Sequence, residues 1–236
     1  MIKTILFDLD GTLLPMDQEV FTKSYFAELA KKLAPYEYDM ERLIPAIWNG
    51  VKAMVVNTSG GTNEEVFWKD FAKSFPEKDV RKQEPIFLEF YQKEFQKAQQ
   101  VCGFNPEAAK TVQLCKELGY EVALATNPLF PSVATESRIR WAGLAPEDFL
   151  LYTTYENSHA CKPNLDYYRE ILQKIDRAPE ECVMVGNDVG EDMIAEKLGM
   201  KVFLLKDCLI NMKEQDINRY PQGGFRELQE YLKWGC

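Results

Sequence analysis

The 236-residue sequence predicts an α/β fold: a parallel sheet core with helices on both faces, interrupted by an inserted all-helical subdomain. Three observations predict it. From residue 103 onward, short apolar runs alternate with segments of helical period, the pattern of parallel strands joined by crossover helices. Residues 2–7 form a similar apolar run, which ends at Asp8-Leu9-Asp10-Gly11-Thr12. Between these two regions the period is helical throughout, and 15 of the chain's 29 aromatic residues lie between Phe21 and Phe104. A segment so dense in large apolar side chains can build its own core. The expected organisation is an α/β core over 1–14 and 101–236, with the helical subdomain over 15–100.

Residues 2–7 are broken only by Lys3 and Thr4 and close at a Gly-containing turn, as a buried strand does. After Pro15 the chain turns helical. Val20, Phe26, Leu29 and Leu33 share a face of the first helix, which Pro35 stops. A second helix is predicted over 40–57, with Pro45 bending it or marking its true start. Ser59-Gly60-Gly61-Thr62 breaks it, and Asn63 is expected to cap a third helix carrying Phe67, Trp68, Phe71 and Phe75. A fourth starts near Pro85 and carries Phe87, Phe90, Tyr91 and Phe95. Asn105-Pro106 opens the next helix and Gly119 closes it. Further strands are predicted over 120–125, 149–154, 182–186 and 201–205. The helices between them span 132–142, a segment capped by Asn164, and about 190–199. Residues 207–224 read as irregular, and a last helix covers 225–234.

A composition of 46% hydrophobic and 28% charged residues is that of an ordinary globular chain. The formal net charge of −9 argues against a nucleic-acid partner. A phosphorylated ligand is repelled at long range too, so a site for one needs its own local cations. No apolar run approaches the ~20 residues of a membrane span. Asp8 and Asp10 interrupt the stretch where the apolar region of a signal peptide would continue. Six cysteines without C-x-x-C spacing read as reduced thiols, and the expected location is cytoplasmic.

Ligands bind beyond the carboxyl ends of parallel strands, so the N-terminal strand delivers two carboxylates to the place where chemistry is expected. Ionised carboxylates beside an apolar core are costly without a cation or hydrogen bonds, and the pair therefore points to a metal. Asp and Gly also close strands in plain turns. D-x-D-G-T, however, fixes four positions, and a chance match in a chain of this length is expected about once in a few hundred sequences. Other polar residues fall at or beyond strand ends: Thr126, Lys162, Asp188 and, four residues on, Asp192. Singly, each has an ordinary reading as a helix-entry hydroxyl, a solvated lysine or a first-turn acid. Together they put acids, a hydroxyl and a cation at one sheet edge.

That set resembles the haloacid dehalogenase superfamily, whose core is a Rossmann-like sheet. Asp8-Leu9-Asp10-Gly11-Thr12 matches its first motif and Thr126 its second; Lys162 in Cys161-Lys162-Pro163 is similar to the third, and Asp188 with Asp192 to the acidic fourth. The family has Gly directly before the first acid of that fourth motif, where this chain has Asn187, with Gly186 one earlier. The insert looks like the family's helical C1-type cap. The resemblance implies a Mg²⁺-dependent phosphatase acting on a small-molecule phosphorylated substrate through an aspartyl-phosphate. It implies Asp8 as nucleophile and Asp10 as acid and base. The implied metal ligands are the Asp8 carboxylate, the Asp10 backbone carbonyl and Asp188, with Asp192 orienting them. Thr126, Asn127 and Lys162 are implied to hold the phosphoryl oxygens. A haloacid dehalogenase would need neither the metal nor Asp10. A phosphosugar mutase passes the same phosphoryl group to a second hydroxyl, and a receiver-like phosphoacceptor or a catalytically dead binding protein would not turn over.

Other features carry two readings each. His159 is a loop hydrogen-bonder or a catalytic base, and Cys161 is structural or an activated thiol. Gly60-Gly61 is a plain connection or a mobile substrate loop. Trp48, Asn49 and Lys52 are cap core and surface, or face the sheet and select the substrate.

Overall fold

The computed structural model of the chain describes residues 1–234. Its sheet is parallel throughout: β1 Thr4–Phe7, β2 Glu121–Leu124, β3 Cys182–Gly186, β4 Lys201–Leu205 and β5 Gln222–Gly223, in the order β2-β1-β3-β4-β5. β1 lies inside the sheet, between β2 and β3, and is covered on both faces. Ile5 and Phe7 belong to one apolar cluster and Leu6 to the other, which is why its sequence is nearly continuous in apolar residues. Phe7 pairs with Leu124 on one side and Val185 on the other, so the three strands end level. The chain steps outward from β1 to β2 and then returns to β3. The crevice beyond β1 and β3 is therefore a topological switch point, the usual ligand position in such sheets.

The insert holds α1 Gln18–Leu33, α2 Met40–Val55, α3 Asn63–Phe71 and α4 Glu84–Gln92, then a 3₁₀ helix over Glu94–Val101. Asp17 caps α1, accepting from the amides of Glu19 and Val20. The buried stripe of α1 is Phe21, Tyr25, Leu29 and Leu33, spaced by four; Val20, expected on that face, is 46% exposed. The stripe follows the aromatic pair, whose rings pack edge-on against Phe95. Pro45 does not mark a start: α2 begins at Met40 behind an Asp39 cap and holds Pro45 within it. Thr62, not Asn63, caps α3, in a reciprocal bond pair with Glu65. Phe75 lies beyond α3 but is buried against Tyr38. Phe130, from the loop after β2, reaches into the insert and lies 5.6 Å from Tyr25.

The core helices are α5 Pro106–Glu117, α6 Ser132–Trp141, α7 Leu165–Lys174 and α8 Phe225–Lys233. Three expectations need correction. The strand predicted over 149–154 is no ladder strand: it lies along β2 through one bridge, Leu124 to Tyr152, and a few backbone bonds. An apolar run at the sheet edge meets only one partner, and its pairing ends as the chain turns away to bring the loop 155–163 to the site. The helix expected from about Gly190 is a 3₁₀ helix, Met193–Leu198, so Asp192 precedes it rather than lying a turn inside. The amide of Asp192 still bonds the Asp188 carbonyl at 2.9 Å, which keeps the two acids one turn apart. Finally, β5 interrupts the stretch expected to be irregular.

No helix among the described residues is long and apolar enough to cross a membrane. Cys102, Cys161, Cys182 and Cys208 are free thiols and Cys115 is buried; Cys236 lies outside the described residues.

Candidate active site

Asp8 comes directly after β1, and its amide bonds the Val185 carbonyl of β3 at 2.9 Å. Lys162 comes from the loop before α7 and is only 1% exposed. Its ammonium donates to Asp8 Oδ1 at 2.8 Å and to Asp192 Oδ1 at 2.6 Å. Burial works to lower the Lys162 pKa, but the carboxylates of Asp192 and Asp8 outweigh it and hold the group well above its usual range. Lys162 is thus a fixed cation, with one hand on the acid that ends β1. Desolvation pushes Asp192 up despite Lys162, and the nearby Asp8 adds to the rise.

The loops around Asp8 are built from close approaches. Thr12 Oγ1 lies 2.9 Å from Asn187 Oδ1 and 3.2 Å from Asp8 Oδ2, with one proton to share. Asn187 Nδ2 donates to the Cys208 carbonyl at 2.6 Å, tying the turn after β1 to the segment after β4. Gly11 has φ +87°, and a Cβ there would collide with Asn187 Nδ2. At Gly186 a Cβ would overlap Asp192 Oδ2 and sit 2.6 Å from the Asp192 Cβ. This accounts for Gly186 standing one place before Asn187: the strand end must leave room for Asp192, while Asn187 serves as a strut. Gly186→Ala is therefore expected to cost about 1–3 kcal/mol through overpacking. A thermal melt checks it, and an unchanged Tm would show that Asp192 can move aside.

Asp188 and Asp192 differ in what they have left to offer. Asp192 uses Oδ1 for Lys162 and Oδ2 for the Asp188 amide, at 2.9 Å. The bonds of Asp188 fall on Oδ1, from the amides of Gly190 and Glu191, leaving Oδ2 for a ligand. Asp8 and Asp188 thus stand just past adjacent strands and face the same crevice, with hard oxygen donors. Among the described residues, no three or more His, Cys, Asp or Glu side chains converge as a metal-binding group. Mg²⁺ does not ask for one, because it is commonly held by one or two carboxylates with carbonyls and waters. The donor set fits it.

Asp10 is gripped by Arg138, a residue sequence reasoning missed. Its guanidinium is 1% exposed and donates Nη1 to Asp10 Oδ2, with Nε on the Ala134 carbonyl and Nη2 on Thr135 Oγ1. It also lies 4.4 Å above the Phe130 ring. Asp10 Oδ1 is buried without a hydrogen-bond partner among the described residues. Burial raises the Asp10 pKa; Arg138 opposes the rise and Asp8 adds to it. A signal was present in the sequence, because Arg138 falls on the same helical stripe as Ala134, Thr135, Ile139 and Ala142, where an unpaired charge would not be tolerated.

Thr126 is buried just past β2, its carbonyl held by Thr153 Oγ1 at 2.6 Å and the Tyr167 hydroxyl at 2.8 Å. Asn127 donates to Glu191 Oε2 at 3.1 Å, while its Oδ1 has no hydrogen-bond partner among the described residues. Burial raises the Glu191 pKa. His159 pairs with Glu170 at 2.8 Å, so the hydrogen-bonding reading of this loop residue holds. Burial pushes the Cys161 thiol up to about 12, the opposite of activation. Gly60-Gly61 is a connection pinned by Asn57 Nδ2, which bonds the carbonyls of Gly61 and His159. Asn49 and Lys52 are exposed, whereas Trp48 lines a cavity of about 390 Å³ between the insert and the core. Asp10 lines the same cavity.

A family model described as haloacid dehalogenase-like hydrolase matches residues 2–197. The pyrophosphatase PpaX of Bacillus cereus (strain ATCC 10987 / NRS 248) is 24% identical over 202 residues, covering 85% of this chain and 81% of its own. The 2-haloacid dehalogenase from Pseudomonas syringae pv. Tomato DC3000 superposes with a TM-score of 0.63 at 19% identity over 100% of both chains. The Bacillus subtilis protein YfnB, solved bound to magnesium, gives a TM-score of 0.59 at 18% identity over 98% of this chain and 99% of its own. Phosphoryl and haloacid chemistry thus sit on one fold, and the side chains must separate them.

Proposed function

Because the chain belongs to the haloacid dehalogenase-like hydrolases, we propose that it hydrolyses the phosphate monoester of a small metabolite through a phosphorylated Asp8. The observation that carries this reading is the second carboxylate, Asp10. It lines the cavity, where it can exchange a proton with a leaving group; burial raises its pKa and Arg138 opposes the rise. A dehalogenase has no leaving oxygen to protonate and no use for such a group.

The reaction has two halves. One Asp8 carboxylate oxygen attacks phosphorus, the bond from phosphorus to the ester oxygen breaks, and Asp10 gives its proton to the departing alcohol. Asp10, now a carboxylate, takes a proton from water as that water attacks phosphorus; the acyl-phosphate bond breaks and Asp8 is restored. Lys162, fixed between Asp8 and Asp192, balances charge on the phosphoryl oxygens, and Thr126 and Asn127 bind those oxygens. The Asp8 carboxylate, the Asp10 backbone carbonyl and Asp188 would hold Mg²⁺, with Asp192 orienting the set. When bound, the ion neutralises the carboxylates and polarises the phosphoryl group. Residues 15–100 act as a cap that opens for entry and excludes water on closing.

Phosphate release from a metabolite panel tests this reading. We expect turnover with Mg²⁺, its loss on chelation and its return on adding Mg²⁺ back. Halide release from a 2-haloacid, unaffected by chelator, would overturn it; so would an isomerised phosphate ester in place of free phosphate.

A further inference from the structure

We propose that the alcohol released by this enzyme is an apolar, ring-sized molecule bearing a cationic amine, and not an acid, a sugar or a second phosphate. The inference rests on the phosphatase reading above and concerns what fills the cavity beside Asp10. At about 390 Å³ the cavity falls within the usual range for small-molecule sites. Its walls include the rings of Phe26, Trp48, Phe67, Trp68, Tyr91 and Tyr155, contributed mainly by the insert. These are large apolar surfaces that only an apolar ligand body exploits.

The charges in the cavity all have one sign. Asp10, Glu64, Glu84 and Glu156 line it, and among the described residues no Lys, Arg or His does. Two arginines stand behind the wall. Arg138 holds Asp10, and Arg81 is 3.2 Å from both Glu64 and Glu84. Glu156 accepts only the amide of Ser132, at 2.8 and 3.0 Å, and has no ion-pair partner among the described residues. Arg138 is thus spent on Asp10, and Arg81 alone stands against the three glutamates. Burial raises the Glu84 pKa against the pull of Arg81, and Glu64 and Glu156 push it the same way, so the three glutamates act on one another.

Each competing ligand class meets an obstacle here. A carboxylate or second phosphate on the leaving group would be desolvated against like charge with no cation to receive it. A sugar could bond Gln18, Thr22 and the carboxylates but would lay its polar faces on the rings of the wall, where the hydroxyls of Tyr25 and Tyr91 already bond each other at 3.0 Å. An ammonium is drawn both by the surplus carboxylates and by the faces of the indole and phenol rings. Rings of this wall already take cations from behind, with Arg81 5.7 Å from the Trp68 centroid.

The test compares O-phosphotyramine, phenyl phosphate, phosphoglycolate, pyrophosphate and glucose 6-phosphate at saturating Mg²⁺, for the parent enzyme, Glu84→Gln and Trp48→Ala. Trp48 is half exposed, so its replacement does not threaten the fold. We expect kcat/KM for O-phosphotyramine to exceed that of each other ester at least tenfold. Glu84→Gln should cost O-phosphotyramine at least tenfold more than it costs phenyl phosphate, and Trp48→Ala should raise KM for both. Faster turnover of phosphoglycolate, pyrophosphate or glucose 6-phosphate, or a preference untouched by Glu84→Gln, would overturn the inference and leave the phosphatase reading standing. If no ester is hydrolysed, the phosphatase reading fails. The cavity is then judged by melting temperature, which tyramine should raise and glycolate should not; the reverse would sink the inference.

Discussion

Asp8→Asn is expected to lower phosphate release by at least about 10⁴-fold while the protein melts within about 1 kcal/mol of the parent. The loss is a matter of chemistry, since an amide oxygen is too poor a nucleophile to carry the phosphoryl group. Preserved stability is a matter of the bonds around the residue. Lys162 Nζ donates to Oδ1, and the amide oxygen of Asn accepts that bond as well. Oδ2 faces Thr12 Oγ1, which gives its proton to Asn187 Oδ1 and can then accept from the new Nδ2. Lys162 keeps Asp192 as its charged partner. One negative charge leaves a crevice in which Asp8, Asp10 and Asp192 are paired with Lys162 and Arg138. Phosphate release and a thermal melt on the same preparation decide the matter. Undiminished turnover would place the chemistry elsewhere.

The parts of this site written in the sequence were those fixed by the backbone. Asp8 was legible because an apolar strand must end, and the first residues past a buried parallel strand face the ligand crevice. Thr126 and Asp188 stand past apolar runs too, but they and Lys162, which lies in the loop before a helix, read singly as ordinary polar residues and became legible only as a set. The strand expected over 149–154 failed because an apolar run does not say how many partners it will find at a sheet edge. Thr12 and Asn187 were visible as residues, but their bond joins positions 175 apart in the chain, and no local pattern encodes such a distance. Trp48 is a sharper case. Helical period places it on the cap, and only the packing of the cap on the core turns its ring toward the cavity. The cavity thus depends on tertiary contacts, and it was the least readable part of the chain.

Arg138→Met should be the most destabilising of the substitutions considered, by about 3–5 kcal/mol, which for a chain of this size lowers Tm by roughly 6–20 °C. The guanidinium spends its donors on Asp10, Ala134 and Thr135 and lies flat on Phe130. Methionine fills much of that volume but takes away the ion-pair partner of Asp10, one of whose oxygens already lacks a hydrogen-bond partner among the described residues. The cost therefore arises mainly from an uncompensated buried charge and not from lost packing. That diagnosis is testable, because Asp10→Asn in the same chain removes the charge and should recover more than half of the lost stability. A double-mutant cycle in Tm then reads the coupling directly. Arg138→Lys keeps the charge but loses the planar fork and the ring stacking, and should fall between parent and Met. In turnover, Arg138 acts through Asp10, so Arg138→Met should reduce kcat about tenfold or more with KM little changed. If the single variant melts like the parent, or if Asp10→Asn restores nothing, the pair is not coupled. Arg138 would then owe its place in α6 to packing alone.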